Sequence, residues 1–278
     1  MKKVIILQPG KLGDLIVSSP IINYYNKNNF DVEWIVFDDF VDFFKRIKNV
    51  KTKTFDYKLD ISYYTNNKNR FGFGEKEIFN KTSVFFEKAY EYVKKEKPDL
   101  FLDICWGFPG SSRENNEKIF QFYKSNRNWI DMRYFLGKTP LKERWNFSWT
   151  RDEEKEEKLL NLIKQFSLKK YGSENFSIIH NYNKNQKKIR LENQIELVPI
   201  PGFQIYDWIK VLENAQQIAC VDSSLCNFIE VVSSLREKRK IYLGSEEPHY
   251  YEYIRNILLN NWVDIEGKKI ISDYEGKI

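Results

Sequence analysis

Asp14 is the first residue along the chain whose type and position could support chemistry. It ends a loop, Pro-Gly-Lys-Leu-Gly-Asp at residues 9–14, that directly follows the apolar run at residues 4–7. Such a run is typical of a buried parallel strand, and open α/β sheets bind ligands outside the carboxyl ends of their strands. A carboxylate here could act as a general base, but it could equally cap a helix by accepting hydrogen bonds from free N–H groups.

Ser19 and Pro20 bear on this choice. Serine is a favoured N-cap residue and proline fits the first helical position, so the pair predicts that the next helix begins only at Pro20. We therefore expect residues 10–14 to form an open loop that leaves Asp14 available as a base.

A second turn that could bind a ligand is Asp222-Ser223-Ser224-Leu225. It follows a predicted strand and opens a predicted helix, and the free N–H groups at a helix start bind phosphate. Asp222 or Ser223 could also be a simple N-cap, as in most α/β proteins. Local chemistry leaves both interpretations open.

Several common catalytic sites have no matching pattern in this chain. GxGxxG does not follow the first strand, and GxxxxGK[ST] and GxSxG do not occur, which excludes the usual dinucleotide, P-loop and serine-hydrolase signatures. The two histidines, His180 and His249, lack the spacing of metal ligands. His180 ends a predicted strand, and we expect it to face a cleft rather than the core.

Strand and helix patterns alternate along the chain, which predicts parallel sheets with helices on both faces. The predicted strands of the first half are residues 4–7, 31–37, 52–57, 59–64 and 99–105, and its helices are 40–47, 75–97 and 114–125. The predicted strands of the second half are 176–180, 195–200, 218–221 and 240–243, and its helices include 205–212, 225–232 and 250–259.

A domain boundary is predicted between residues 145 and 146, giving domains 1–145 and 146–278. The sequence Thr-Arg-Asp-Glu from Thr150 is a capping box that predicts Thr150 as the N-cap of a charged helix. The face of this helix that we expect to be buried carries Leu159, Leu160, Ile163 and Phe166.

Composition indicates a folded, mildly basic protein. Hydrophobic residues make up 42% of the chain, and 45 Lys and Arg against 39 Asp and Glu give a net charge of +6. This excess suits an anionic ligand or an acidic membrane surface, while the basic residues form no stripe that would favour nucleic acid. Three cysteines without paired spacing and the short apolar N-terminal run predict a cytoplasmic protein that could contact the membrane from inside.

Three separated stretches together resemble the lipopolysaccharide heptosyltransferases and their relatives, glycosyltransferase family 9. Residues 4–22 are similar to the family's opening strand, Gly-Asp loop and Ser-Pro pair. Residues 98–112 resemble its D-x-x-I-D-x-x-G…S turn, and residues 220–228 resemble its V-D-[ST]-G-x-x-H-L turn. The resemblance implies the GT-B fold, an α/β architecture in which two Rossmann-like domains face each other across a cleft. Because few residues separate strands 176–180 and 195–200, the second domain is predicted to be trimmed.

The resemblance also implies roles for individual residues. Asp14 corresponds to the general base that acts on the acceptor hydroxyl. Beside what the resemblance implies, we assign Gly10, Lys11, Gly13, Trp106 and Arg70 to the acceptor side. Arg70 lies in a loop at 66–74 that could otherwise be a mobile surface connection. The resemblance places Asp222, Ser223 and Ser224 at the donor diphosphate and sugar, and implies a phosphate-binding lysine that either Lys184 or Lys187 could supply. We also assign Leu225 and His180 to the donor side.

These patterns predict an inverting, metal-independent glycosyltransferase, heptosyltransferase-like and suited to lipopolysaccharide biosynthesis. It would move a sugar from a nucleotide-diphosphate sugar, its substrate rather than a cofactor, to a glycan or lipid-linked acceptor. The chain departs from the family at Gln8, usually Arg or Lys, at Ser224, usually Gly, and at Asn227, usually His. The alternatives are a non-catalytic GT-B-like protein that binds a sugar or nucleotide, and a GT-B-fold nucleotide-sugar epimerase.

Overall fold

The computed structural model describes residues 1–57, 76–105, 129–181, 189–244 and 260–270, with residues 76–81 and 129 described by their backbone alone. The chain divides into two units, Met1–Trp149 and Thr150–Ile278, where the predicted boundary lies between residues 145 and 146. The predicted elements at 59–64, 114–125 and 250–259 lie outside the described residues.

The first unit is built on a parallel sheet in the order β3-β2-β1-β4. Its strands are β1 Lys2–Leu7, β2 Phe30–Ile35, β3 Val50–Lys53 and β4 Leu100–Asp103. Val4 pairs with Val32 on one side and with Leu100 on the other. All four residues of the apolar run, Val4 to Leu7, are fully buried, as a central parallel strand requires.

The helices of the first unit are α1 Leu12–Ser18, α2 Pro20–Lys27, α3 Val41–Phe44, α4 Lys76–Glu96 and α5 Trp129–Leu136. Short 3-10 turns at Asp38–Phe40 and Leu141–Trp145 also lie in the described part of this unit. The predicted helix 40–47 is thus shorter than expected, and α5 was not predicted. The predicted helix 75–97 is confirmed as α4.

The prediction of an open loop at residues 10–14 is wrong. Helix α1 already begins at Leu12, and Pro20 opens a second helix immediately after it. Ser19 has helical backbone angles and donates its hydroxyl hydrogen bond back to the Ile16 carbonyl at 2.9 Å. Proline at the first position of α2 therefore marks the junction of two helices rather than a late start of one.

The second unit carries a five-stranded parallel sheet in the order β6-β5-β7-β8-β9. Its strands are β5 Ser177–His180, β6 Gln194–Glu196, β7 Ile218–Cys220, β8 Lys240–Tyr242 and β9 Trp262–Val263. Its helices are α6 Glu153–Tyr171, α7 Ile209–Asn214 and α8 Ser224–Val231, with 3-10 turns at Ile205–Trp208 and Ser233–Leu235. Strand β9 was not predicted. In the interval before β6, the described residues 189–193 contain no helix.

Helix α6 differs from its prediction at its start and on its buried face. Asp152, not Thr150, is the N-cap, and its carboxylate accepts a hydrogen bond from the Lys155 N–H at 3.1 Å. Leu159, Leu160 and Ile163 are buried as predicted, but Phe166 is 48% exposed. Within the described parts of the chain, no helix has the length and apolar character needed to cross a membrane.

Candidate functional site

Asp14 lies in the first turn of α1, three residues after the N-cap Lys11. Its Oδ2 accepts a long hydrogen bond from the Lys11 backbone N–H at 3.4 Å, the reciprocal contact of a capping box. The capping role that the sequence suggested for Asp14 therefore accounts for one of its carboxylate oxygens, Oδ2. The other oxygen has a different partner.

Arg133 of α5 is that partner. Its Nη2 lies 2.9 Å from Asp14 Oδ1, and the two side chains are 1% and 21% exposed respectively. Arg133 Nη1 also donates to the backbone carbonyl of Ile104 at 3.0 Å, just beyond β4. The guanidinium thus joins the segment after β1, through Asp14, to the segment after β4, through Ile104. It fixes the orientation of a carboxylate that still reaches solvent.

The sequence analysis missed Arg133, although a signal for it exists. Helix α5 reads Trp-Ile-Asp-Met-Arg-Tyr-Phe-Leu, and Ile130, Met132 and Tyr134 are buried. An arginine in so apolar a helix needs a partner, because a buried unpaired charge is very unfavourable. Only the fold shows that the partner is Asp14.

Gln8 and Gly10 shape the loop that leads from β1 to Asp14. The fully buried Gln8 amide donates from Nε2 to the Gly10 carbonyl at 2.8 Å, and Trp34 Nε1 donates to the Gln8 carbonyl at 2.8 Å. A Cβ atom at Gly10 would lie 2.5 Å from Cε2 of Phe40, so glycine is needed for this close approach. Gln8 stands where glycosyltransferase family 9 usually has Arg or Lys, and here its side chain stabilises the loop through the hydrogen bond to Gly10.

Asp103 and Cys105 follow β4 on the same edge of the sheet. Tyr90 donates its hydroxyl hydrogen bond to Asp103 Oδ2 at 2.7 Å, and the Cys105 N–H donates to Oδ1 at 3.2 Å. Burial, and secondarily the negative charge of Asp103, raise the pKa of the Cys105 thiol well above its ordinary value. Cys105 is therefore a neutral core residue, and Asp103 is held as a structural acceptor in its turn.

The strand orders place these groups where α/β sheets usually bind ligands. In the first unit the chain moves from β1 to β2 and β3, then crosses to place β4 on the other side of β1. In the second unit β6 lies on one side of β5 and β7 on the other. Each sheet thus has a topological switch point, the usual ligand position: Asp14 follows β1 at the first, and His180 and Ser223 lie at the second.

Ser223 is the N-cap of α8. Its Oγ accepts a hydrogen bond from the Cys226 N–H at 3.3 Å and lies 3.2 Å from His180 Nδ1. Asp222, half-buried, donates its backbone N–H to the Gly244 carbonyl at 3.3 Å. Ser224 is the half-buried first residue of α8, whereas the Leu225 side chain is fully buried and belongs to the core. The turn therefore offers the backbone of Ser224 and Leu225, rather than the leucine side chain, to a ligand.

His180 and two cysteines form a cluster beneath this turn. Cys220 Sγ lies 3.7 Å from His180 Nδ1 and 3.6 Å from Ser223 Oγ. Burial raises the pKa of the Cys220 thiol, but hydrogen bonds from Cys226, His180 and Ser223 outweigh it and lower that pKa overall, while burial and Cys220 raise the pKa of Cys226. Cys220 Sγ also lies 3.1 Å from the Val221 carbonyl, to which it donates.

Four of the predicted site residues lie outside the described residues, so the structure does not place them: Arg70, Trp106, Lys184 and Lys187. Of the others, Gly10, Lys11 and Gly13 are at the Asp14 turn, and His180, Asp222, Ser223 and Ser224 are at the start of α8. Among the residues that are described, no group of three or more His, Cys, Asp or Glu is arranged to hold a metal ion.

Comparison with known proteins gives no matching family model and no matching curated protein. Among solved structures, the chain is similar to a glycosyl transferase of family 9 from Veillonella parvula, with 11% identity, a TM-score of 0.54, and coverage of 95% of this chain and 86% of that one. It also matches E. coli heptosyltransferase WaaC with ADP-2-deoxy-2-fluoro heptose, with 14% identity, a TM-score of 0.44, and coverage of 97% and 95%. The first similarity shows the fold: two Rossmann-like units, as in the GT-B glycosyltransferases.

Proposed function

We propose that this protein is an inverting glycosyltransferase that moves a sugar, without a metal cofactor, from a nucleotide-diphosphate sugar to a glycan or lipid-linked acceptor. Its similarity in fold to a family 9 glycosyl transferase supports this class. Heptosyl or hexosyl transfer in the synthesis of a cell-envelope glycan such as lipopolysaccharide, in the cytoplasm, agrees with the motifs at residues 4–22, 98–112 and 220–228.

The observation that carries the proposal is the Asp14 carboxylate, oriented by a buried arginine at a switch point. Among the residues that the structure describes, Arg133 pairs with Oδ1, whereas Oδ2 accepts a long hydrogen bond from the Lys11 N–H. An acceptor hydroxyl can therefore approach Oδ2 and give up its proton as its oxygen forms the new bond to the anomeric carbon. A positioned base of this kind typically contributes about 10²–10⁴-fold to the rate.

The start of α8 supplies the second requirement, stabilisation of the leaving diphosphate. The first N–H groups of a helix have no partners within it and point outward with the positive end of the dipole. Ser223 already uses its hydroxyl to cap Cys226, so the backbone of Ser224 and Leu225 is the part of the turn that we assign to phosphate. Donors aimed at charge that develops in the transition state are among the strongest contributors to catalysis. Lys184 or Lys187 would add a cation, and Asp222 and His180 would contact the sugar.

The test compares the wild-type protein with Asp14→Asn (D14N) in the presence of ADP-, GDP-, UDP- and CDP-sugars. We expect one donor to raise the melting temperature of both proteins, because a ligand that binds the folded state stabilises it. Transfer, or slow hydrolysis without an acceptor, should fall by about 10²–10⁴-fold in D14N. The matched control is Asp42→Asn, which removes an exposed carboxylate of the same unit and should leave turnover unchanged.

The same panel separates the alternatives. Transfer at the wild-type rate by D14N would refute the assignment of the base. Binding of a donor without any turnover by the wild-type protein would indicate a non-catalytic binding protein. Conversion of the donor into an isomeric nucleotide sugar without an acceptor would indicate an epimerase.

A further inference from the structure

The carboxyl-terminal half of α6 exposes three apolar side chains, Leu162, Phe166 and Leu168. Leu162 and Phe166 are each 48% exposed. They are four residues apart and therefore neighbours on one face of the helix. Leu159, Leu160 and Ile163 occupy the buried face, so the exposed pair is additional to the contacts that hold α6 in its unit.

Lysines follow this pair along the helix. Residues 161–172 contain three lysines and no carboxylate. Lys164 lies 3.8 Å from Glu174, whereas Lys169 and Lys170 are exposed. Lys170 Nζ lies 5.5 Å from the centre of the Phe166 ring, so the charge and the aromatic ring belong to one surface. We call Leu162, Phe166, Lys169 and Lys170 the α6 patch.

We propose that the α6 patch docks the protein on an anionic lipid surface. A helix that presents apolar side chains flanked by lysines is suited to lie in the plane of a membrane interface. Leu162 and Phe166 would enter the boundary between headgroups and acyl chains, and the flexible lysine stems would keep their ammonium groups at the phosphates. The inference goes beyond the proposed function, because it does not depend on whether the acceptor is a soluble glycan or a lipid-linked one.

Charge favours lipid over a second copy of this chain as the occupant. A twofold interface would bring the same patch of both copies together, which would place Lys169 and Lys170 of one copy near those of the other. Like charges in such an arrangement repel, while an anionic bilayer attracts each lysine near its surface. The patch is therefore complementary to anionic lipid and not to itself.

The experiment is co-sedimentation of the whole protein with vesicles of phosphatidylcholine, with or without phosphatidylglycerol. We expect binding only to the vesicles that contain phosphatidylglycerol, and weaker binding at high salt. The double variant Lys169→Gln/Lys170→Gln should bind about 25-fold more weakly, from about fivefold per lysine. Phe166→Ser should bind about tenfold more weakly, because it removes half-exposed apolar area that would enter the lipid.

Phe135→Ser is the matched control, since Phe135 is 56% exposed on α5 of the first unit. It should bind vesicles like the wild-type protein. Equal binding to both kinds of vesicle, or an equal loss in Phe135→Ser and Phe166→Ser, would overturn the proposal. A change in oligomeric state of Phe166→Ser without vesicles, measured by light scattering, would assign the patch to a second copy instead.

Discussion

The ion pair between Asp14 and Arg133 predicts an asymmetric effect on stability. Asp14→Asn would remove the negative charge that lies 2.9 Å from Nη2 of the buried Arg133 guanidinium, although the new amide oxygen could still accept a hydrogen bond. Arg133→Met would leave a carboxylate that is 21% exposed and can be rehydrated, together with the Ile104 carbonyl that loses its donor. We therefore expect the loss of the carboxylate to be the more destabilising change.

The exposure of the two side chains determines how much stability each substitution should cost. Removing one partner of a buried pair lowers the free energy of unfolding by about 3–5 kcal/mol, and we expect Asp14→Asn near the lower end because the amide remains an acceptor. Arg133→Met removes the hydrogen bond to the Ile104 carbonyl, and a buried acceptor that loses its donor costs about 1–3 kcal/mol. The double variant has neither charge, so its loss should fall short of the sum by about 1 kcal/mol or more.

Hydrogen exchange measured by mass spectrometry under native conditions is the suitable assay, because it reports the first unit separately from the second. The peptides that contain α1 and α5 give the opening free energy of the elements that carry the pair. Additive losses, within about 0.5 kcal/mol, would refute the coupling and with it the arginine's role in orienting the carboxylate. A larger loss in Arg133→Met than in Asp14→Asn would refute the argument from exposure.

Two further predictions concern Lys240 and Gly10. Burial lowers the pKa of the Lys240 ammonium from 10.5 to about 8, against an opposing effect of Glu230. Between these two pKa values the unfolded chain binds more protons than the folded protein, so the stability of the wild type relative to Lys240→Met should increase as the pH rises from about 8 to 10.5. Urea denaturation of both proteins across this pH range measures the difference in stability. A difference that stays constant or falls contradicts the prediction. Gly10→Ala should lower the free energy of unfolding by about 1–3 kcal/mol, because the added methyl group overpacks against Phe40. In the double variant with Phe40→Leu, part of that stability should be recovered. Denaturation midpoints that show no recovery would mean that the strain arises elsewhere.

Local patterns predicted the fold well where they were long or uniformly buried. The α/β prediction is confirmed, and both the run at residues 4–7 and the amphipathic helix 75–97 were found correctly. Strand β9 has only two residues, too few for any period to show. Helix α5 is buried on most of its surface, which hides the helical period because both faces are apolar.

The candidate site was less predictable, because its contacts are long-range. The sequence alone suggested Asp14, and Ser223 as one of two possible caps. The sequence alone could not show that Asp14 pairs with Arg133, because the two residues are 119 positions apart (133 − 14) in the chain. The late helix start that was inferred from Pro20 failed because proline fits the first turn of a helix whether or not another helix precedes it.

The position of Arg133 in the chain has a consequence for synthesis. Asp14 leaves the ribosome long before its cation, because Arg133 lies in α5, close to the end of the first unit at Trp149. The turn after β1 therefore lacks its ion pair until nearly the whole first unit has emerged. Domains generally fold as units during synthesis, so this turn and the sheet behind it should mature together, in one late step that precedes translation of most of the second unit.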